Sequence, residues 1–188
     1  MSSFYDEKEL EQLGFKKIGK GVKISRKSSI YGAHKISIGD NVRIDDFCIL
    51  SGNIELGSHI HIAAYTSLFA GDAGIVMKDF SCLSSRCAVY AISDDYSGAS
   101  LTNPMIPDKY RNVEEKPVVL ERHVLVGTGS TILPGVKLGE GASVGSMSLV
   151  NKSLDEWGIY VGTPCRKLRD RKKDLLQLEK SFLEECQE

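Results

Sequence analysis

From Ile18 onward an apolar residue recurs at every sixth position. The series runs Ile18, Ile24, Ile30 and, after a two-residue slip, Ile38, Ile44, Leu50, Leu56, Ile62, Leu68. A second slip leads to Met77, Leu83, Val89, and a long interruption to Leu120, Val126, Ile132, Leu138, Val144, Val150. All eighteen anchors are apolar in a chain that is 41% apolar, a coincidence of roughly 10⁻⁷ for independent draws. The position four after each anchor is small or apolar as well, among them Val42, Cys48, Ile54, Thr66, Ser81, Cys87, Ser130, Ala142 and Ser148; only His34 and Asp72, both at slips, depart from this. A side chain four after one anchor lies two before the next, so both point to the same side of an extended strand. A small residue often follows the anchor (Gly19, Gly39, Gly57, Ala63, Gly127, Gly139, Gly145), where the chain must turn. The pattern predicts an all-β solenoid of triangular section over residues 18–154, three hexapeptides per coil and about six coils. An α-helix has no six-residue period, and a β-sandwich alternates without a fixed six-step.

A solenoid leaves open strand edges at both ends, which need covers. Residues 1–17 form the expected N-terminal cap, with a short helix over 3–13 capped by Ser3 and stopped at Gly14. Residues 155–188 form the expected C-terminal tail: Leu168, Leu175, Leu178 and Phe182 stand at helical spacing, and the charges from Arg169 to Lys173 give it a solvated face. With 25 acidic and 24 basic residues among 188, the chain lacks the cationic excess that nucleic-acid binding draws on. No apolar run approaches the roughly 18 residues of a membrane span, and the acidic N-terminus has no signal-peptide core. A cytoplasmic protein is expected. The five cysteines are irregularly spaced and form no C-x-x-C pair, which reads as reduced thiols, with Cys48 and Cys87 facing the core.

Residues 94–117 interrupt the repeat with a polar segment carrying Pro104, Pro107 and Pro117. An insert of this length is usually functional, and here it is expected to project as an arm. Beyond it lie three motifs in fixed order: Ile132-Leu133-Pro134-Gly135-Val136, then Gly145-Ser146-Met147-Ser148-Leu149-Val150-Asn151-Lys152, then Tyr160-Val161-Gly162-Thr163-Pro164-Cys165-Arg166. Across Val118 to Leu168 these resemble the I-L-P-G-V, G-A-G-S-V-V-T-K and A-x-G-x-P-A-[KR] signatures of the galactoside, maltose and chloramphenicol acetyltransferases. The chain as a whole resembles the hexapeptide-repeat family of left-handed parallel β-helices. The resemblance implies an acyltransferase that uses acetyl-CoA or another acyl-CoA as co-substrate. It also implies a homotrimer with its sites between neighbouring solenoids. Small residues at Gly127, Ser146 and Ser148 would let the pantetheine arm approach the backbone, and Met147 would be among the residues that bind the cofactor. Asn151, Lys152 and Pro164 would lie by the cofactor, with Arg166 and Arg169 near its phosphates. The N–H of Thr128 matches the position that stabilises the tetrahedral oxyanion. No metal is implied: His34, His59, His61 and His123 do not match the three-histidine zinc pattern of the β-helical carbonic anhydrases, and His34 and His123 read as structural.

The chain departs from those acetyltransferases where their insert begins. They carry a catalytic histidine there, and this chain has Tyr90-Ala91-Ile92-Ser93-Asp94-Asp95, with no histidine between residues 62 and 122. Ala64 stands where sugar O-acetyltransferases keep an acceptor-binding asparagine. A carboxylate titrating near pH 4 is a weak base for a sugar hydroxyl, whereas an amine titrating near 8 is partly neutral at pH 7 and attacks a thioester with little help. The substitution therefore points to N-acylation of an amino sugar carried on a nucleotide, with Asp94 as base or orienting group and Ser84 as a relay or acceptor contact. Asp95, Tyr96, Tyr110, Arg111, His61 and Tyr65 are the expected acceptor-binding residues. Two other readings stay open at this point: sugar O-acetylation, and a non-catalytic β-helix scaffold.

Overall fold

The computed structural model describes residues 3–186; residues 1, 2, 187 and 188, at the ends of the expected cap and tail, lie outside it. The six-residue repeat folds into a parallel β-solenoid with three faces. One face stacks the strands Lys23–Ile24, Arg43–Ile44, His61–Ile62, Cys82–Leu83, Leu125–Val126, Ser143–Val144 and Gly158–Gly162 in parallel. These seven rungs are one more than the repeat count, because Gly158–Gly162 continues the face beyond the last anchor. The second face runs from Ser29–Tyr31 through Ala88–Tyr90 to Leu149–Val150, and the third from Lys17–Ile18 to Lys137–Leu138.

Sixteen of the eighteen anchors are buried; Ile18 and Ile30, at the open first coil, are partly covered and pack against the core. Most of the inward residues four positions on are buried as expected, including Cys48, Cys87, Thr66, Ser81, Ser130 and Ser148, while Val22, Ser28 and Ser93 are partly covered. Thr66 Oγ1 donates to Ser84 O at 2.9 Å and Ser148 Oγ to Gly145 O at 2.7 Å, while the Ser81 hydroxyl has no hydrogen-bond partner among the described residues. All five cysteines are unpaired. Burial pushes the Cys48 thiol up to about 11. The slips have local causes. The first is a 3₁₀ turn at Ala33–Lys35, entered through Gly32 at φ 75°. The second lies in the long strand Ser67–Met77, which bends across a corner at Gly71.

The N-terminal helix is shorter than expected. Helix α1 spans Glu7–Gln12 and is capped by Asp6, not Ser3: Asp6 Oδ1 accepts from Glu9 N–H and Glu9 returns the bond to Asp6 N–H. Such a reciprocal box outcompetes a lone serine. The residues before it serve the open edge instead, Phe4 bridging Ser25 and Tyr5 N–H donating to Ile24 O at 3.0 Å. At the other end, Cys165–Asp170 turns back as a strand antiparallel to Gly158–Gly162. Leu168 therefore leaves the predicted helical stripe and stands 62% exposed. Helix α2, Leu175–Glu185, follows and lies over the first face, where Leu175, Leu178 and Phe182 line a groove with Phe80, Cys82 and Leu125. Glu179 anchors it, accepting from Arg122 and from His123 Nε2, the latter at 2.9 Å. His123 is thus the structural histidine expected. Among the described residues no helix is long and apolar enough to cross a membrane.

Glu121 ties three coils together through Lys78 Nζ at 2.7 Å and Lys137 Nζ at 2.9 Å. The Lys78 hydrogen bond, aided by that from Lys137 and opposed by burial, lowers its pKa. A depressed carboxyl stabilises the fold above the unfolded value of about 4 and loses that contribution as pH falls through the lower folded value. Glu121→Gln is therefore expected to lower the urea midpoint near pH 7, with the gap from the unchanged protein closing below about pH 4. A gap that stays constant down to pH 2 would contradict this account.

Candidate active site

Each coil passes from the first face to the second through the same three-residue corner. Its first residue donates its N–H one coil up, as Ser84 N–H does to Val126 O (2.9 Å) and Gly127 N–H to Val144 O (2.7 Å). The third residue takes left-handed backbone and donates one coil down: Tyr65 to Asp46 O, Arg86 to Ala64 O, Gly129 to Ser85 O, Met147 to Thr128 O. The middle N–H, that of Ala64, Ser85, Thr128 or Ser146, has no partner among the described residues. The corner thus carries a column of free backbone donors. Thr128, the expected oxyanion donor, is one of them.

This corner gathers many of the predicted residues. Ser84 sits between Ala63 and Gly127, and the Ser85 and Thr128 hydroxyls are 3.5 Å apart. Ser146 and Met147 stand at the top of the column, Met147 being 72% exposed. Thr163 Oγ1 donates to Met147 O at 3.2 Å and Gly162 N–H to Ser148 Oγ at 3.1 Å, which sets the Pro164 turn beside them. Arg166 and Arg169 follow, exposed on the antiparallel strand. Gly127 has a tighter reason to lack a side chain than cofactor access: a Cβ there would stand 2.5 Å from Ser146 N and 2.9 Å from Val144 O.

Asp94 lies elsewhere. The insert leaves the solenoid at the next corner, through a stub in which Ile92–Ser93 pairs antiparallel with Glu114–Glu115. Residues 85–93 separate Asp94 from Ser84, with the strand Ala88–Tyr90 running between the two corners. Asp94 is exposed; Asn103 N–H donates to its Oδ2 at 3.4 Å, and it lines openings with Asp95, Tyr96 and Thr102 and with Asn112 and Lys116. Asn151 and Lys152 belong to the same edge two coils higher. One copy therefore carries the predicted residues in two groups at opposite edges of one face, and among the described residues no hydrogen bond joins the two groups.

Within the insert, some of the expected binding groups are already engaged. Asp95 accepts from Ser97 N–H and Ser100 Oγ, both at 2.8 Å, and these bonds, that from Ser97 first, lower its pKa. Arg111 pairs with Asp108 and reaches Asn103 O. Lys109 Nζ lies over the Tyr110 ring at 4.8 Å. Tyr96 has no hydrogen-bond or ring partner among the described residues and is 94% exposed. On the solenoid, His61 Nε2 is 2.8 Å from Asp45 Oδ2, whose partner oxygen accepts from Arg43 Nε at 2.7 Å. Burial opposes ionisation of Asp45, but the bonds from His61 and Arg43 outweigh it and lower its pKa. Asp45 escaped the sequence reading, although an 18-residue coil places it beside Ala63 and so within reach of His61. Tyr65 stacks on Phe47 with ring centroids 4.9 Å apart.

No family model matches this chain. A dTDP-4-amino-4,6-dideoxy-D-glucose acyltransferase from Escherichia coli is 42% identical over 183 residues, covering 96% of this chain and 95% of that protein. AntD, an N-acyltransferase from Bacillus cereus solved with dTDP and 3-hydroxybutyryl-CoA, is 53% identical and superposes with a TM-score of 0.98 over 100% of both chains. The chain belongs to the hexapeptide-repeat acyltransferases. It is an acyl-CoA-dependent N-acyltransferase, and its solenoid has the family's left-handed winding. A maltose O-acetyltransferase from Clostridium difficile, 19% identical with a TM-score of 0.57 over 88% of this chain and 75% of that one, shares the fold alone.

If Gly127 is small because of the coil above it, Gly127→Ala is expected to destabilise the protein by about 1–3 kcal/mol, read as a drop in the urea midpoint. Unchanged stability with weakened coenzyme A binding would instead assign the glycine to the cofactor.

Proposed function

We propose that the protein transfers a short acyl group from acyl-CoA to the 4-amino group of a dTDP-linked 4-amino-4,6-dideoxyhexose, for use in a surface glycan. The observation that carries this reading is AntD solved with dTDP-4-amino-4,6-dideoxyglucose and coenzyme A, 53% identical over 98% of this chain with a TM-score of 0.96. Supporting it, AntD has also been solved as D94A and D94N variants and as S84C, S84T and S84A variants. The chain presented here carries an aspartate and a serine at those numbers.

The two groups of residues give the reading its assembly. In a homotrimer, the edge that bears Asp94, Asn151 and Lys152 in one copy meets the corner that bears Ser84, Thr128, Ser146 and Met147 in its neighbour. The pantetheine arm runs along the column of free N–H groups, and Arg166, Arg169 and Lys152 meet the cofactor's phosphates. The thioester lies at Thr128 and the acceptor below it, covered by the neighbour's insert through Asp95, Tyr96, Tyr110 and Arg111.

The chemistry asks little of the protein. The neutral amine attacks the thioester carbon, and the Thr128 N–H stabilises the oxyanion, a donor typically worth about 3 kcal/mol. Asp94 accepts a hydrogen bond from the amine and takes its proton as the C–N bond forms. The C–S bond breaks, the proton passes on to sulfur, and coenzyme A leaves as the thiol. Ser84 orients the acceptor. The reading puts the enzyme in the cytoplasm, where acyl-CoA and sugar nucleotides are made.

Thiol release from acetyl-CoA is expected with dTDP-4-amino-4,6-dideoxyglucose and not with the dTDP-6-deoxyglucose that carries a hydroxyl at the same carbon. Turnover of the hydroxyl sugar alone would overturn the reading. Asp94→Ala and Ser84→Ala are each expected to lose about 10²-fold or more in kcat. Refolding the two variants together should restore part of the activity, since some interfaces then combine an intact Asp94 edge with an intact Ser84 corner. Failure of the mixture to exceed either variant would place both residues of a site in one chain.

A further inference from the structure

The insert that carries Asp94 keeps a defined shape while burying little of its apolar surface. Its tip is tied by its own bonds: Leu101 N–H donates to Tyr110 O at 2.9 Å, Arg111 pairs with Asp108, and Asn103 Oδ1 accepts from Met105 N–H at 3.0 Å. Yet Leu101 is exposed and Met105 is 88% exposed. Apolar side chains held outward on an ordered turn gain nothing from their own chain. The burial that would offset the ordering of such a segment lies outside it.

A matching surface stands on the first face, where α2 leaves a groove of about 400 Å³ between itself and the solenoid. Its apolar walls are open: Leu125 and Phe182 are exposed, Leu178 is 69% exposed, and Cys82 beside Leu125 is half-buried. The charged groups along it are engaged. Glu179 accepts from Arg122 and His123, and Arg171 donates to His123 O at 2.8 Å and Gly141 O at 3.0 Å. What remains is apolar surface, which fits an apolar side chain and not a charged ligand.

Groove and insert also lie at one level. The stub at Ile92–Ser93 ends the coil that begins with Cys82–Leu83, and Leu125 pairs with Cys82 one coil up. Cys82 and Leu125 stand two residues before Ser84 and Gly127, so the groove adjoins the corner assigned to acyl transfer. A threefold axis along the prism keeps every copy at the same height. The edge that bears Asp94 then meets the neighbour's Ser84 corner, and the chain beyond Asp94 passes onto the neighbour's first face level with its groove.

Resting on the trimer of the reading above, we propose that the insert tip of each copy docks in the α2 groove of the next. Met105 enters between Leu125 and Leu178, and Leu101 packs at the rim. The unbranched thioether adapts to an irregular groove. Helix α2 thereby receives the arm and fixes where Asp94 sits against the neighbour's Ser84, which makes Met105 a positioning residue.

Cross-linking of the full-length protein tests this, with Cys186→Ser throughout to remove the exposed thiol of the tail. Under mild oxidation Met105→Cys is expected to join Cys82 of the neighbouring copy. Bands at two and three times the chain mass should appear without reductant and vanish when Cys82→Ser is added. Leu178→Cys, combined with Met105→Cys and Cys82→Ser, offers a second and more exposed partner. In turnover, Met105→Asp should lower kcat about tenfold by misplacing the arm, with coenzyme A affinity and native mass kept, and Met105→Leu should restore it. A trimer that gives no cross-link with either partner overturns the docking alone, as does a disulfide formed within one chain or an unchanged kcat for Met105→Asp. A native mass of a single chain for the unchanged protein removes the trimer, and the docking with it.

Discussion

The inward column of branched apolar side chains, joined coil to coil by the backbone ladder, is what every other feature rests on. No coil can satisfy its strands alone: the N–H of Lys23 goes to Val42, that of Arg43 to Ile60 and that of Cys82 to Val124, each a coil away. Fully buried Ile24, Ile44, Ile62, Leu83 and Val126 stack along one line, each worth about 1.5–3 kcal/mol when removed from water. Because the ladder fixes register, it also fixes the corners. Residues scattered in sequence (Ala64, Ser85, Thr128, Ser146) come to lie in one column with their N–H groups free. The repeat that builds the core thus also builds a column of unpartnered N–H groups at one corner.

The same regularity confines chemistry to places where it breaks. The stub at Ile92–Ser93 and Glu114–Glu115 ejects the insert and leaves Asp94 on one edge of a face, while Ser84 stays in register on the other. In the proposed homotrimer these two edges meet across a subunit interface, which is where that reading places the chemistry.

Corner backbone sets the cost of what the corners carry. Left-handed residues with large side chains persist only where their surroundings compensate. At the corner before the first face, where His59, Phe80 and His123 stack on left-handed backbone, that compensation comes from α2, with Phe182 edge-on to His59 and Phe80 and Glu179 bridging Arg122 and His123. The helix that closes the last coil therefore also braces the first face along several rungs. The Phe47–Tyr65 corner has slighter cover, Lys27 Nζ lying over the Phe47 ring at 5.5 Å.

The solenoid, its slips at His34 and Asp72, its inward cysteines and the departure at Asp94 were all legible in the chain, because a six-residue period leaves a mark on every coil. The acceptor chemistry was legible too, since it follows from one substituted residue type. Local competition was not: Asp6 displaced Ser3 as the cap because Glu9 completed a reciprocal box, and Leu168 left its helical stripe because Cys165–Asp170 found an unpaired strand edge. Nor could spacing reveal that Gly127 is held small by the coil above it, that Arg111 is engaged by Asp108, or that Asp45 lies against His61. The sequence by itself determined the coil, through burial patterns that repeat locally. Which side chains meet between coils, which cations stay free and which edges face each other were decided only by the tertiary structure, because those contacts join residues a whole coil or more apart.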